Sequence, residues 1–385
     1  MRIAILTHST NPRGGVVHAL ELAEALVRLG HDAVVHAPDP QQNGFFRSTI
    51  CQTIGFPATP ATKNLADLVA ARRWEYRQYF QRESNRAFDV FHAQDSISAN
   101  GLADLKAGAG LRFARTVHHL DHFDDPALMA LQARGVAAAD RHFVVSRQGQ
   151  DQLARQFGVQ AGIVGNGVDT ARYAPVATAQ DAILRASLGL GPGPVLLAIG
   201  GIEERKNTLR VLQAFQIVRA RHGSAQLVIA GGASLLDHDA YRQAFGAMRR
   251  EMQLPETAIR ITGPLPQSAM PALYRAADAL IFPSVREGFG LAVLEAAACG
   301  TPIVTSRMPP FTEYLADDDV AWCDPYDFAS IAQAILSALD PRLRAKLIAR
   351  GHRMAARHDW RQTAAAHLQV YEQMQERAPA ATQDA

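Results

Sequence analysis

Cysteine is nearly absent from this 385-residue chain: Cys51, Cys299 and Cys323 are the whole set. Three thiols, far apart and without metal-ligand spacing, argue against a disulfide framework and fit a reducing, cytoplasmic setting. Surplus charge is equally scant. Lys and Arg number 39, Asp and Glu 37, a formal +2, which gives no support for bulk nucleic-acid binding. No apolar run approaches the roughly 18 residues that suggest a membrane span, so no integral membrane segment is expected. The opening "MRIAIL" reads as a strand rather than a leader, with neither a basic n-region nor an apolar h-region. Two nucleotide fingerprints are missing as well. There is no G-x-G-x-x-G and no G-x-x-x-x-G-K-[ST], which disfavours a nicotinamide dehydrogenase and a P-loop ATPase.

What is present is ordinary globular composition, 48% hydrophobic and 20% charged. The length suits two domains of roughly 150–200 residues. Short apolar strands alternate with helical patterns: "RIAILTHS", a loop with Gly14 and Gly15, the helix "VVHALELAEALVRLG" ending at Gly30, then "DAVVHAP", "FDVFHAQ", "RFARTVHH", "RHFVVS" and "AGIVGNG". The rhythm breaks near residues 165–194 and restarts with "VLLAIGG", a helix from Asn207 as N-cap, "AQLVIAGG", "AIRITGPL", "ALIFPS" and "PIVTS". Such alternation predicts an α/β protein of two Rossmann-like, doubly wound parallel-sheet domains facing across a cleft, with ligands beyond the carboxyl ends of the strands. The boundaries fall at 1–170 and 171–360, and 378–385 is a frayed tail.

Several stretches could carry chemistry. Gly14 and Gly15 let a ligand approach the backbone at a helix N-terminus, or make a plain turn. "IGGIEERKN" places Arg205 and Lys206 between a strand and a helix, where two cations could neutralise a leaving diphosphate, or form a solvated pair balanced by Glu203 and Glu204. "RTVHHLDHFDD" sets His118 and His122 at i, i+4, a metal spacing only if the segment is helical; a substrate-contacting His118 and a polar loop are the other readings. Gln94 and Asp95 end a strand and either bind a polar substrate or cap the next helix. In "REGFGLAVLEAAACGTP", Gly288, Phe289 and Gly290 offer backbone N–H groups to a phosphate. Glu295 follows Gly290 by roughly 7.5 Å of helical rise, about the reach to a ribose. A core Glu295 paired to a basic neighbour is the alternative. Residues 63–86 carry a net +3 with several aromatics. They read as a solvated helix with an aromatic core face, or as a patch for peripheral contact with lipid or an anionic acceptor.

"EGFGLAVLEAAACGTPIV" resembles the E-x7-E signature of retaining nucleotide-sugar glycosyltransferases of the GT-B fold, family four. The resemblance runs along nearly the whole chain: "GGVVHALELAEAL", "TVHH", "GNGVD", "GGIEERKN" and "LYRAADALIFPSVREGFGL" follow the family's order and spacing. It implies a hexosyltransferase-like enzyme that moves a sugar from a nucleoside diphosphate sugar, the donor substrate, with retention and with neither cofactor nor bound metal. His118, Lys206, Arg205 and Glu287 would be catalytic. Lys206 would bind the diphosphate, Glu295 the ribose and Glu287 the donor sugar. Gly14, Gly15, Leu265 and Gly288 to Leu291 would complete the donor site, Leu265 through its backbone at the base. Gln94 and Asp95 would serve a small-molecule, glycan or lipid-linked acceptor. The C-terminal helix, about 361–377, would return to the first domain. One departure stands out: Gly201 occupies a position where many members carry arginine, and Arg205 is the nearby substitute. A nucleotide-sugar epimerase and a non-catalytic nucleotide-sugar-binding protein are the alternatives.

Overall fold

The computed structural model describes residues 1–62, 64–232 and 238–376. The chain divides into two compact units, one running from Met1 to Asn166 and resuming at Trp360, the other Gly167–Asp359.

The first unit is built on seven parallel strands: β1 (Arg2–Leu6), β2 (Asp32–Asp39), β3 (Gln52–Pro57), β4 (Val90–Ala93), β5 (Phe113–Val117), β6 (Arg141–Val144) and β7 (Gly162–Ile163), in the order β3-β2-β1-β4-β5-β6-β7. The crossovers include α1 (Gly14–Arg28), α2 (Leu65–Gln81), α3 (Ser96–Ala109), α4 (Pro126–Ala138) and α5 (Arg147–Phe157). Both sheet faces are covered, so β1 and β2 are buried along their length rather than on alternate residues, and Ile3 to Leu6 are fully buried. Strand order reverses between β1 and β4, which opens a crevice at their carboxyl ends. On α2 the core face holds Leu68, Val69, Tyr76 and Phe80, while Trp74 stays exposed. That core face also encloses an Arg72–Glu75 ion pair of 2.6 Å, which the aromatic pattern gave no reason to expect. Strand β3 was not among the predicted strands. Its single buried residue, Phe56, leaves no alternation to read, and it forms only because β2 offers a register from Val34–Gln52 to Asp39–Pro57.

The second unit repeats the plan with six parallel strands: β8 (Val195–Ile199), β9 (Gln226–Ala230), β10 (Ile259–Gly263), β11 (Ala279–Phe282), β12 (Ile303–Ser306) and β13 (Ala321–Cys323), ordered β10-β9-β8-β11-β12-β13. Its helices are α6 (Ala179–Ser187), α7 (Thr208–Arg221), α8 (Asp239–Glu251), α9 (Met270–Ala276), α10 (Leu291–Ala298), α11 (Phe311–Tyr314), α12 (Phe328–Leu339) and α13 (Pro341–Ala356). The core gathers Leu196, Leu212, Phe215, Leu227, Ile281 and Ile335. Here the reversal lies between β8 and β11. Strand β13, three residues on the sheet edge, also escaped the sequence pattern.

The last helix, α14 (Trp360–Glu376), belongs to the first unit. It closes that core with aromatic and imidazole rings. Tyr371 Oη lies 2.6 Å from His92 Nδ1, and the rings of Trp360 and His18 meet edge-on at 5.3 Å. The predicted tail, 378–385, lies outside the described residues, as does Lys63. No described helix is long and apolar enough to cross a membrane.

Candidate active site

In the second unit the loops that leave β8 and β11 meet at the reversal of strand order. Gly200 (φ 114°) and Gly201 (φ 75°) turn the chain out of β8. A Cβ on Gly200 would stand 2.5 Å from Lys206 Cε. Only glycine there lets the lysine stem lie back across the strand end. Lys206 Nζ sits 4.2 Å above the centre of the Phe282 ring, at the end of β11, and 2.5 Å from Glu287 Oε2. Arg205 reaches the other oxygen, Oε1, at 3.2 Å, while its Nε lies 2.9 Å from Glu203 Oε2. Two cations and two carboxylates thus interlock. Burial pushes the Lys206 ammonium below its ordinary value, and the charge of Glu287 opposes that push. The backbone is held from beneath: Asn207, buried and at φ 60°, donates its amide to the Pro283 and Pro325 carbonyls at 3.1 and 2.6 Å. It occupies the predicted N-cap position of α7 but makes no side-chain cap.

The loop 288–291 is tightly fixed. Phe289 stacks on Tyr314 at 4.4 Å, and Tyr314 Oη donates to the Phe289 carbonyl at 3.0 Å. Gly290 (φ 99°) is the N-cap of α10, where a Cβ would strike Phe311 at 2.8 Å. Gly288 and Leu291 flank this pair and are half-buried. Glu295, half-buried on α10, has a partner that is not basic. Tyr274 Oη on α9 donates to Glu295 Oε2 at 2.6 Å.

In the first unit the loops after β1, β4 and β5 converge in the same manner. Gly15 lies against the His118 imidazole: a Cβ on it would be 3.4 Å from His118 Cδ2. Gly14 is in open space. His118 Nε2 is 2.9 Å from Gln94 Oε1, which places the ring proton on Nε2 because an amide oxygen only accepts. The His18 ring meets His118 edge-on at 4.8 Å. Burial first, then the neighbouring His18, holds His118 well below its ordinary pKa, so it is neutral at pH 7. Asp95 accepts from Ser98 N and His8 N, both at 2.8 Å, and its Oδ2 lies 3.3 Å from His8 Nδ1.

Two family models match. Glycosyltransferase Family 4 covers residues 12–172, and Glycosyl transferases group 1 covers residues 180–354. The D-inositol 3-phosphate glycosyltransferase 2 of Catenulispora acidiphila is 32% identical over 310 residues, 74% of this chain and 70% of that protein. The chain belongs to glycosyltransferase family 4. A second relative, the D-inositol 3-phosphate glycosyltransferase of Acidothermus cellulolyticus, is 29% identical and spans 99% of this chain and 92% of its own length. The fold is GT-B. Sucrose-phosphate synthase from Thermosynechococcus elongatus superposes with a TM-score of 0.80 at 21% identity, over 98% of this chain and all of that one. Anabaena HepE in complex with UDP-glucose gives 0.75 at 17% identity, over 98% and 100%.

In this glycosyltransferase the sequence-chosen residues fall into two groups, one per unit. Lys206, Arg205 and Glu287 are in direct contact; Gly15, His118 and Gln94 are in direct contact. Leu265 follows edge strand β10, two strands from β8 in the sheet order. Asp95 is the N-cap of α3 in a capping box with Ser98, so of its two readings the cap is the one seen. Residues 118–125 form no helix, which removes the premise of the His118–His122 metal spacing. Gly201 packs against the carbonyls of Gly231 and Gly232, with a virtual Cβ at 3.0–3.2 Å. At φ 75° that position resists any side chain, arginine included. Sequence reasoning missed Tyr274 and His8. The solvated alternative, Arg205 and Lys206 balanced by Glu203 and Glu204, does not describe Glu203, which is 1% exposed. The only signal for Tyr274 was a tyrosine among the apolar residues of a short helix that also carries Arg275, which by itself reads as core.

Proposed function

We propose that this glycosyltransferase moves a sugar from a nucleoside diphosphate sugar to a hydroxyl acceptor with retention of anomeric configuration. The observation that carries the reading is the convergence of Lys206, Arg205 and Glu287 at the β8/β11 reversal, with Glu295 farther along α10. Cations beside a helix N-terminus suit a diphosphate, and a carboxylate farther along suits a ribose diol. The donor is assigned to the second unit. Lys206 and Arg205 take the diphosphate, the N-terminal amides of α10 (Gly290, Leu291) assist, Glu295 takes the ribose and Glu287 the sugar. Leu265 stays as the backbone contact to the base.

The chemistry follows from those charges. The C1–oxygen bond to the diphosphate breaks, and its electron pair goes to the leaving phosphate, where Lys206 and Arg205 stabilise it. The acceptor oxygen bonds to C1 on the same face, through an oxocarbenium-like state, and its proton passes to the leaving phosphate oxygen. Neutral His118, oriented by Gln94 and packed against Gly15, serves the first unit as a hydrogen-bonding group for a substrate hydroxyl rather than as a charged acid. Glu287 balances both cations in the protein itself, so the diphosphate takes them over on binding. The acceptor is assigned to the first unit, beside Gly14, Gly15 and Gln94. The names of the relatives point to inositol phosphates as the first acceptors to try.

The test is a thermal-shift panel of UDP-, GDP- and ADP-sugars, followed by transfer to D-inositol 3-phosphate and other polyols. Lys206→Ala should abolish transfer while the fold persists, and Glu295→Ala should weaken nucleotide binding. Normal turnover in both variants would sink the proposal.

A further inference from the structure

We infer that Tyr274 is a positioning residue that orients the Glu295 carboxylate for a ribose diol and so lets the second unit distinguish ribonucleotides from deoxyribonucleotides. This rests on the assignment of Glu295 to the ribose. Tyr274 is 0% exposed, and its hydroxyl donates to Glu295 Oε2 at 2.6 Å. Burial, and next the charge of Glu295, push the phenol well above its ordinary value, so it remains a proton donor across the working pH range. The tyrosine is itself held. Thr301 Oγ1 donates to the Tyr274 carbonyl at 2.7 Å, and the Tyr173 ring meets it edge-on at 6.0 Å. Tyr173 in turn accepts from Gln267 Nε2 at 2.5 Å.

A glutamate alone on a helix turns about three side-chain bonds and samples many orientations. One short, charge-assisted bond from a locked donor fixes one oxygen and hence the carboxylate plane. A carboxylate offers about four acceptor positions, and the bond to Tyr274 occupies one of them. Packing alone does not call for a tyrosine here. A phenylalanine would fill the same ring volume on α9 without bringing a buried hydroxyl that needs a partner. The hydroxyl is matched to Glu295, and Glu295 is the one charge on α10.

The experiment measures dissociation constants of UDP, GDP and ADP and of their 2′,3′-dideoxy forms, by calorimetry, on the full chain. Wild type should prefer the ribose forms. Tyr274→Phe should weaken the best ribonucleotide about tenfold, the effect of losing one buried bond to a charged group. It should leave the dideoxy form unchanged, so the ribose preference collapses toward that of Glu295→Ala. The unchanged dideoxy affinity also reports an intact site. Equal losses for both forms would show a scaffold role and overturn the inference, as would no loss for either. If Glu295→Ala keeps the wild-type preference, or if wild type shows none, the assignment of Glu295 fails first, and that outcome is separable from a failure at Tyr274 alone.

Discussion

Glu287 stands between two cations, so Glu287→Gln tests the site's electrostatics in one step. The carboxylate is 2.5 Å from Lys206 and the two side chains are 12% and 9% exposed, whereas Arg205 is 35% exposed and its share is largely screened. Breaking a buried pair from one side costs about 3–5 kcal/mol. Glutamine still accepts from Lys206 through its carbonyl, a neutral bond in place of a charged one, which leaves a net loss of about 2–3 kcal/mol. For a unit of this size roughly 2–4 °C accompanies each kcal/mol, so its melting temperature should drop by roughly 5–10 °C. The loss depends on pH. Burial holds the Lys206 pKa below its unfolded value, with Glu287 as the main opposing influence. Between those two values the unfolded chain binds the proton and the native one releases it, so stability rises with pH there. Removing the Glu287 charge lowers the folded value further. The deficit of the variant is therefore greatest at neutral pH and shrinks as pH climbs toward the ordinary lysine value. UDP should reverse the deficit. In wild type the diphosphate must displace Glu287 from both cations; in the variant it meets cations that lack that carboxylate. Differential scanning fluorimetry with and without UDP should give the variant the lower starting temperature and the larger shift, with transfer lost. An unchanged melting temperature, or a UDP shift no larger than in wild type, would refute this account of the site.

Two further outcomes concern the framework around the sites. His36 is 1% exposed, neither ring nitrogen meets a partner among the described residues, and burial holds its pKa at about 3. Its neutral form is fully compatible with the fold above pH 6.5, and stability falls as pH drops from there toward 3, because the unfolded chain takes up the proton first. His36→Leu should remove about 2–3 kcal/mol of the loss between pH 7.5 and 4.5, read as urea midpoints at the two pH values; His18 and His367, lowered to about 4 and 3, keep part of the slope. A variant as acid-sensitive as wild type would contradict this. Asn207→Gly keeps the left-handed backbone but strips two buried carbonyls of their donor, a loss of about 2 kcal/mol. Asn207→Ala adds about 1 kcal/mol of backbone strain, so thermal melts should rank wild type, then glycine, then alanine.

Much of the fold was legible because both sheets are parallel and covered on both faces. β1, β8, β9 and β11 are largely apolar runs, β2 is one broken by His36, and helical spacing separates them. β3 and β13 were not legible. They lie on sheet edges and owe their extended form to the neighbouring strand rather than to any local pattern. The cap at Asp95 was half legible: an aspartate before a helix states the option, and the backbone N–H of Ser98 decides it. Asn207 shows the limit of local rules, since an N-cap residue in sequence turned its amide to two distant carbonyls instead.

The sequence by itself determined the two doubly wound units, the family, and the short loops that carry Lys206, Glu287, Gly15 and His118, because strand periodicity and motif order are local properties of the chain. Partnerships were decided only in three dimensions. Lys206 meets Glu287 from 81 positions away, His92 meets Tyr371 across 279, and Glu295 accepts from Tyr274 across 21. A buried charge states in the sequence that it needs a partner. Which residue answers depends on the strand order, since that alone brings separate loops and helices to one end of a sheet.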